Sequence, residues 1–235
     1  MTIQAKKQNP WLVGVLIVGA IALWVVDQRK LKLSHPPASP TSSQQHHSAP
    51  PPSPTAAGKA ALQGGYEVYR SCTLVAEKNN DGDSFLVRLP DGREEIMRLY
   101  FVDCPESAFK SYRGGETNHQ RIDEQARDFN VTPQRAVATG QLAKHFTLDL
   151  LEKQPFTIYT RWDSPFHDQR YHAFVEVQFE GKTAWLDELL MERGLARLKT
   201  KPADLPDGTP ASKHRQDLEA AKHRAIQAHA GAWQN

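Results

Sequence analysis

YEVYRSCTLVAEKNNDGDSFLVRLPDGREEIMRLYFVDCPE, residues 66 to 106, decides the fold. Residues 66–78, 83–89 and 94–103 are rich in β-branched, aromatic and aliphatic side chains, and polar turns at Asn79-Asn80-Asp81-Gly82 and Pro90-Asp91-Gly92 separate them. Apolar runs bounded by Asp-Gly signals predict three consecutive antiparallel strands. Beyond them Ser107 to Val131 is long and polar, with no clear period. Thr132-Pro133 then offers an N-cap followed by proline at the first helical position. Leu142, Phe146 and Leu150 recur at i, i+4 and i+8, so an amphipathic helix is expected to about Leu151. Strand patterns resume at residues 155–162 and 170–179 around a turn at 163–169. A helix is expected over roughly 184–193, with Gly194 as its stop. Thr209-Pro210 opens another, which carries Leu218, Ala221, Ala225 and Ala228 on one face and ends near Gly231. The order βββ-α-ββ-α-α excludes a helical bundle and an alternating parallel sheet. It predicts an α+β domain over 65–235: a closed barrel of five antiparallel strands with three helices attached, as in an OB-fold.

Two further segments precede this domain. Trp11 to Val26 is an uncharged apolar run of 16 residues between Lys6-Lys7 and Asp27, Arg29, Lys30 and Lys32. As a helix it measures roughly 24 Å, and flanking cations that snorkel let it serve a hydrocarbon core of about 30 Å. The reading is a single-pass membrane anchor within residues 1–32, with the domain exported from the cytoplasm. The competing reading is a signal peptide cleaved after Ala20-Ile21-Ala22, which would leave a secreted protein. Residues 33–64 are rich in Pro, Ser, Gln and His and cannot bury enough surface to offset ordering entropy, so they read as a disordered linker.

The chain of 235 residues has a net charge of +2, which conceals a division. Residues 1–65 hold six Lys/Arg and one acid, and are therefore +5; the rest is −3. That balance excludes a generally basic nucleic-acid binder, and two cysteines, Cys72 and Cys104, exclude a four-cysteine zinc site while permitting one disulfide.

Three charged clusters sit where packing alone would not place them: Asp81-Gly82-Asp83, Arg98-Leu99-Tyr100-Phe101-Val102-Asp103-Cys104-Pro105-Glu106, and Arg170 at a strand start. Taken singly, the first is a turn, the second a strand with solvated ends, and the third a surface arginine. Together they match one reaction. Asp83, Asp103 and a nearby main-chain carbonyl make a hard, oxygen-only site suited to Ca²⁺ with room for water and a phosphate oxygen. Arg98 and Arg170 offer planar forks for phosphate oxygens, and Glu106 can orient or deprotonate a water. Hydrolysis of a phosphodiester needs these parts.

These segments, in this order, resemble the three motifs of the staphylococcal nuclease (thermonuclease) family, and Glu188-Leu189-Leu190-Met191-Glu192-Arg193-Gly194-Leu195-Ala196 looks like that family's helix after the last barrel strand. The likeness spans about Tyr66 to Trp233. It implies a Ca²⁺-dependent nuclease acting on DNA and RNA and leaving 3′-phosphate and 5′-hydroxyl ends. Asp83, Asp103 and the Cys104 carbonyl would be metal ligands, Asp81 would lie just outside them, Arg98 and Arg170 would hold the phosphate, and Glu106 would act on the water. Cys104 departs from the family's usual threonine, a change that a carbonyl ligand tolerates. The pair that contacts nucleotide before the second arginine is missing, and the loop from Ser107 is longer. The alternative is a non-catalytic module of the same barrel that binds nucleic acid or another ligand.

Overall fold

The computed structural model describes residues 61–165 and 167–234. The apolar run at 11–26 and most of the proline-rich segment lie outside the described residues, and no described helix is long and apolar enough to cross a membrane. The domain reaches back before residue 65, into the end of the segment expected to be linker: β1 (Ala61–Gln63) pairs with the start of β2 (Tyr66–Leu74) across a Gly64-Gly65 turn. The remaining strands are β3 (Ser84–Arg88), β4 (Glu94–Leu99), β5 (Val102–Asp103), β6 (Phe156–Thr160), β7 (Arg170–Phe179), β8 (Lys182–Trp185) and β9 (Arg197–Leu198).

β2, β3, β4, β7 and β6 follow one another in a sheet that closes when β6 pairs back onto β2. The molecule is therefore a closed five-stranded barrel with helices attached, an OB-like α+β fold. The five strands are not all antiparallel, because β4 and β7 run parallel, with Arg98 beside His172 and Ile96 beside Arg170. Closure requires this. Directions cannot alternate all the way round a ring of five, so one neighbouring pair must be parallel. A bulge between Tyr69 and Cys72, with Ser71 at φ 62°, bends β2 so that one end serves β6 and the other β3. The barrel interior is aromatic: Tyr66, Tyr100 and Phe174 are fully buried, with ring centroids 4.8–6.3 Å apart.

Four α-helices are present among the described residues rather than three. Three match the expected positions: α2 (Pro133–Glu152), α3 (Leu186–Glu192) and α4 (Ala211–Gln227). Thr132 caps α2 by accepting a hydrogen bond from the Arg135 amide. The fourth, α1 (His119–Phe129), falls in the stretch expected to be irregular. Its apolar signal is only Ile122, Ala126 and Phe129, at i, i+4 and i+7, and the remaining buried position is the polar Gln125. A second expectation also needs correcting. The strand from 94 to 103 is broken at Phe101, whose φ of 63° turns the chain out of the barrel wall. This left-handed residue is held by burial of its ring and by bonds from its amide to Lys201 O and from the Lys199 and Thr200 amides to its own carbonyl. Beyond the kink, Val102–Asp103 pairs with Arg197–Leu198 as a short separate ladder.

Candidate functional site

The kink carries Asp103 through Glu106 to a cleft of about 530 Å³ beside the mouth of β3 and β4, where Asp81, Asp83, Arg98, Cys104, Glu106 and Arg170 all line the wall. Asp103 lies beneath them, with 1% of its surface exposed. All seven residues expected from the sequence therefore meet in one place.

Each is positioned by identifiable bonds. Asn80 ties its loop by donating to Val75 O and accepting from the Leu86 amide, and the Leu99 amide donates to Asp83 O, which fixes Asp83 to β4. Helix α2 sets the two loops against one another. Thr147 Oγ1 donates to Gly82 O at 2.8 Å, and a Cβ at Gly82 would lie 2.9 Å from both Ala143 Cβ and Cys104 Sγ. At Gly140 a Cβ would lie 2.4 Å from the carbonyl oxygens of both Pro105 and Glu106. Glycine at both positions allows the helix to approach backbone to backbone.

Asp103 is the electrostatic centre. Its Oδ1 accepts from Arg98 Nη2 at 3.0 Å and Arg121 Nη2 at 2.7 Å; its Oδ2 accepts from Arg197 Nε at 2.9 Å and Gln125 Nε2 at 3.1 Å. Burial pushes its carboxyl upward, but Arg121, Arg197 and the Gln125 bond outweigh that and hold it below the usual carboxylate range. Arg197 reaches on to Asp128, which anchors α1 to the site. Gln125 also donates to Cys104 O at 3.0 Å and accepts from the Glu106 amide at 2.9 Å, so one side chain holds three successive features of the loop. The Glu106 carboxylate forms an ion pair with Arg121, Nε lying 2.8 Å from its Oε1, and accepts a hydrogen bond from Asn118 Nδ2 at 3.2 Å.

The opposite wall is short of positive charge. Asp83 Oδ2 is buried 3.4 Å from Arg98 Nη2 without a hydrogen-bond partner among the described residues. Burial, and then the charge of Asp103, push the Asp83 carboxyl up; burial pushes Asp81 up to about 6. A hard cation beside them would favour the ionised form of both, and this end of an oxygen-only set fits one. The fit is uneven. No group of three or more Asp, Glu, His or Cys side chains is gathered for a metal among the described residues. Of the three expected ligands Asp83 has the open oxygen, whereas Asp103 and the Cys104 carbonyl already accept from protein donors.

Arg98 is buried, and its Nε lacks a partner among the described residues. Arg170 stands on the neighbouring strand, with its fork on Asp168 at 2.8 and 2.5 Å. His172 does not line the cleft: it is buried against Tyr100, with Nδ1 3.3 Å from Asp163 O, and burial holds its pKa down. The basic face of α4 is likewise elsewhere; Lys213 pairs with Asp217, and Arg224 with Glu192. Cys72 and Cys104 are both buried free thiols, and burial raises both pKa values.

Sequence reasoning missed Asn118, Arg121, Gln125 and Arg197. The first three belong to α1 and its N-cap, whose weak period hid the helix. Arg197 sits 94 residues from Asp103, a separation that no local pattern bridges. No protein-family model matches this chain, and no curated protein matches it.

Proposed function

We propose that this protein is a nuclease of the staphylococcal nuclease type, an OB-fold phosphodiesterase that hydrolyses DNA and RNA with Ca²⁺ and is tethered to a membrane with its catalytic domain outside the cytoplasm. One observation carries the reading. Two arginines, Arg98 and Arg170, the Glu106 carboxylate and the Asp81–Asp83 pair line a single cleft from four separate chain segments. Packing does not require this, since each buried charge must be desolvated.

Arg98 and Arg170 bind the phosphate. Arg98 offers a buried Nε already stripped of water, and Arg170 exchanges Asp168 for a phosphate oxygen. Glu106 aligns the attacking water and accepts its proton; its ion pair with Arg121, the Asn118 hydrogen bond and the Gln125 bond to its amide orient the carboxylate. Arg121, which joins Glu106 to Asp103, keeps the two carboxylates from repelling one another. The residues that would hold the cation are Asp83, Asp103 and the Cys104 carbonyl, with Asp81 adding charge. Bound there, Ca²⁺ supplies Lewis-acid stabilisation of the negative charge that builds on the phosphate.

The test is digestion of DNA and RNA by the full-length chain with calcium, with EGTA, and with Glu106→Gln. Cleavage that requires calcium and drops by two orders of magnitude or more in Glu106→Gln is expected. Absence of cleavage in millimolar calcium refutes the enzyme. Binding without cleavage identifies the non-catalytic module instead.

A further inference from the structure

A second cavity, of about 450 Å³, shares no lining residue with the cleft and opens where β6, β7 and β8 meet α3, α4 and the loop before α4. Its volume is that of a small-molecule site, and its charge is one-sided. Glu176, Glu188, Asp207 and Asp217 line it, with no Lys or Arg among the described lining residues. Lys213, which does not line it, pairs with Asp217; the other three carboxylates have no Lys or Arg within ion-pair distance among the described residues. Tyr159 and Trp185 line the same space and pack edge-to-face with ring centroids 5.4 Å apart, and Glu176 stands directly across the β7–β8 ladder from Trp185. His214, 1% exposed, completes the wall and is incompletely partnered. Its Nε2 lies 2.7 Å from Asp187 Oδ2, whereas Nδ1 lies 3.5 Å from Glu188 Oε1, outside the range of a normal hydrogen bond. When Nε2 carries the ring proton and donates to Asp187, Nδ1 is an acceptor facing a carboxylate that is also an acceptor. Two acceptors so placed call for a donor between them. Burial, and then the charge of Asp187, push the Glu188 carboxyl up to about 7, as for an anion short of compensation.

We propose that this cavity binds an oligoamine, a flexible cation with two or more ammonium groups joined by methylenes. Nothing in this depends on the phosphodiesterase reading of the cleft. An ammonium has three donors and no acceptor, so one group seated between His214 Nδ1 and Glu188 satisfies both and supplies the missing positive charge. A second ammonium meets Glu176, to which the Tyr159 hydroxyl donates at 3.3 Å. The methylenes between them lie along Tyr159 and Trp185, whose rings also attract the cationic ends. A metal ion fits less well. Among the described residues no three Asp, Glu, His or Cys side chains gather for one, so the charges are spread around a space larger than any ion. Nucleic acid and other anions are repelled.

Calorimetric titration of the full-length chain with spermidine, in metal-free buffer and without nucleic acid, tests this. One spermidine per chain is expected, together with an unfolding midpoint that rises with ligand concentration. Sodium chloride at equal ionic strength and the uncharged 1,8-octanediol should produce neither effect, and added calcium should not displace the bound amine. Glu188→Gln and Glu176→Gln keep the side-chain shape and remove one charge each. Either should weaken binding by about 10- to 150-fold, the range of a lost charge-assisted hydrogen bond; if one variant fails to fold, the other decides. Glu94→Gln, which removes an exposed carboxylate outside the cavity, should bind like its parent. No binding in millimolar spermidine overturns the site, as does parental affinity in both cavity variants. Equal weakening in Glu94→Gln identifies a general counterion effect, and displacement by calcium places the amine elsewhere; either result also overturns it.

Discussion

Gly140→Ala gives the sharpest test of how the fold positions the site. The added methyl would meet two backbone carbonyl oxygens, those of Pro105 and Glu106, at 2.4 Å, which is 0.6 Å inside the 3.0 Å that Cβ atoms essentially never breach. Neither oxygen is at the end of a flexible side chain, so relief requires α2 to move or the Pro105-Glu106 segment to shift. Overpacking of this kind costs about 1–3 kcal/mol. The upper end applies because both contacts are with backbone, and alanine in a helix returns about 1 kcal/mol relative to glycine. A net loss of about 2 kcal/mol follows, which for a domain of this size lowers the unfolding midpoint by about 4–8 °C. Catalysis should suffer more than stability does. Glu106 is held by hydrogen bonds that tolerate only small displacements, and a shift approaching 1 Å costs on the order of 100-fold in turnover. Phosphate binding by Arg98 and Arg170 is not on the displaced segment, so KM should change little while kcat falls. Thermal unfolding and steady-state digestion measure the two effects independently. An alanine variant with parental midpoint and parental kcat refutes the claim that the approach of α2 places Glu106.

Removing Arg197 leaves buried Asp103 with fewer compensating charges and releases Asp128; Arg197→Ala should lose about 3–5 kcal/mol in urea unfolding, and a loss under ~1 kcal/mol would show that the remaining donors suffice. His214 supplies a pH test. It is buried with Nε2 2.7 Å from Asp187 Oδ2 and Nδ1 3.5 Å from Glu188 Oε1, and Asp217 also acts on it from its own helix. Burial lowers its pKa, but the Asp187 bond and these carboxylates raise it more. With the folded value raised, its stabilisation is full below the unfolded value of about 6.5 and is lost as pH rises through the higher folded value. Glu188, pushed up to about 7 by burial and then by Asp187, has the same sign, losing stability from about pH 4.3 upward. The unfolding midpoint in EDTA should therefore fall between about pH 5 and 8, and His214→Leu should flatten that slope; identical slopes would sink the assignment.

Much of the barrel was legible because its signals are local. Strand periodicity, Asp-Gly turns and the Thr132-Pro133 helix start each depend on neighbours a few residues apart, and all five barrel strands and three helices lie where those signals place them. Helix α1 was not legible, since its inner face is half polar: Gln125 is buried to hold Asp103, Cys104 and Glu106 rather than to fill the core. The parallel β4–β7 pair follows from closing a ring of five, which no single strand records. The break at Phe101 escaped notice because an aromatic residue in the left-handed region has no signature of its own; the bonds from Lys199, Thr200 and Lys201 that hold it come from a hundred residues downstream.

By itself the sequence determined which chemical groups this protein has to work with. Asp81, Asp83, Arg98, Asp103, Glu106 and Arg170 stand out because charge inside or beside an apolar strand is costly unless it has a purpose. The tertiary structure alone decided how those charges are shared. Three arginines from separate elements converge on Asp103 and compensate it, while Asp83 keeps an open buried oxygen. The physical reason is distance: Coulomb and hydrogen-bond energies depend on ångströms in space, and Arg197 and Asp103 become neighbours only when β9 pairs with β5.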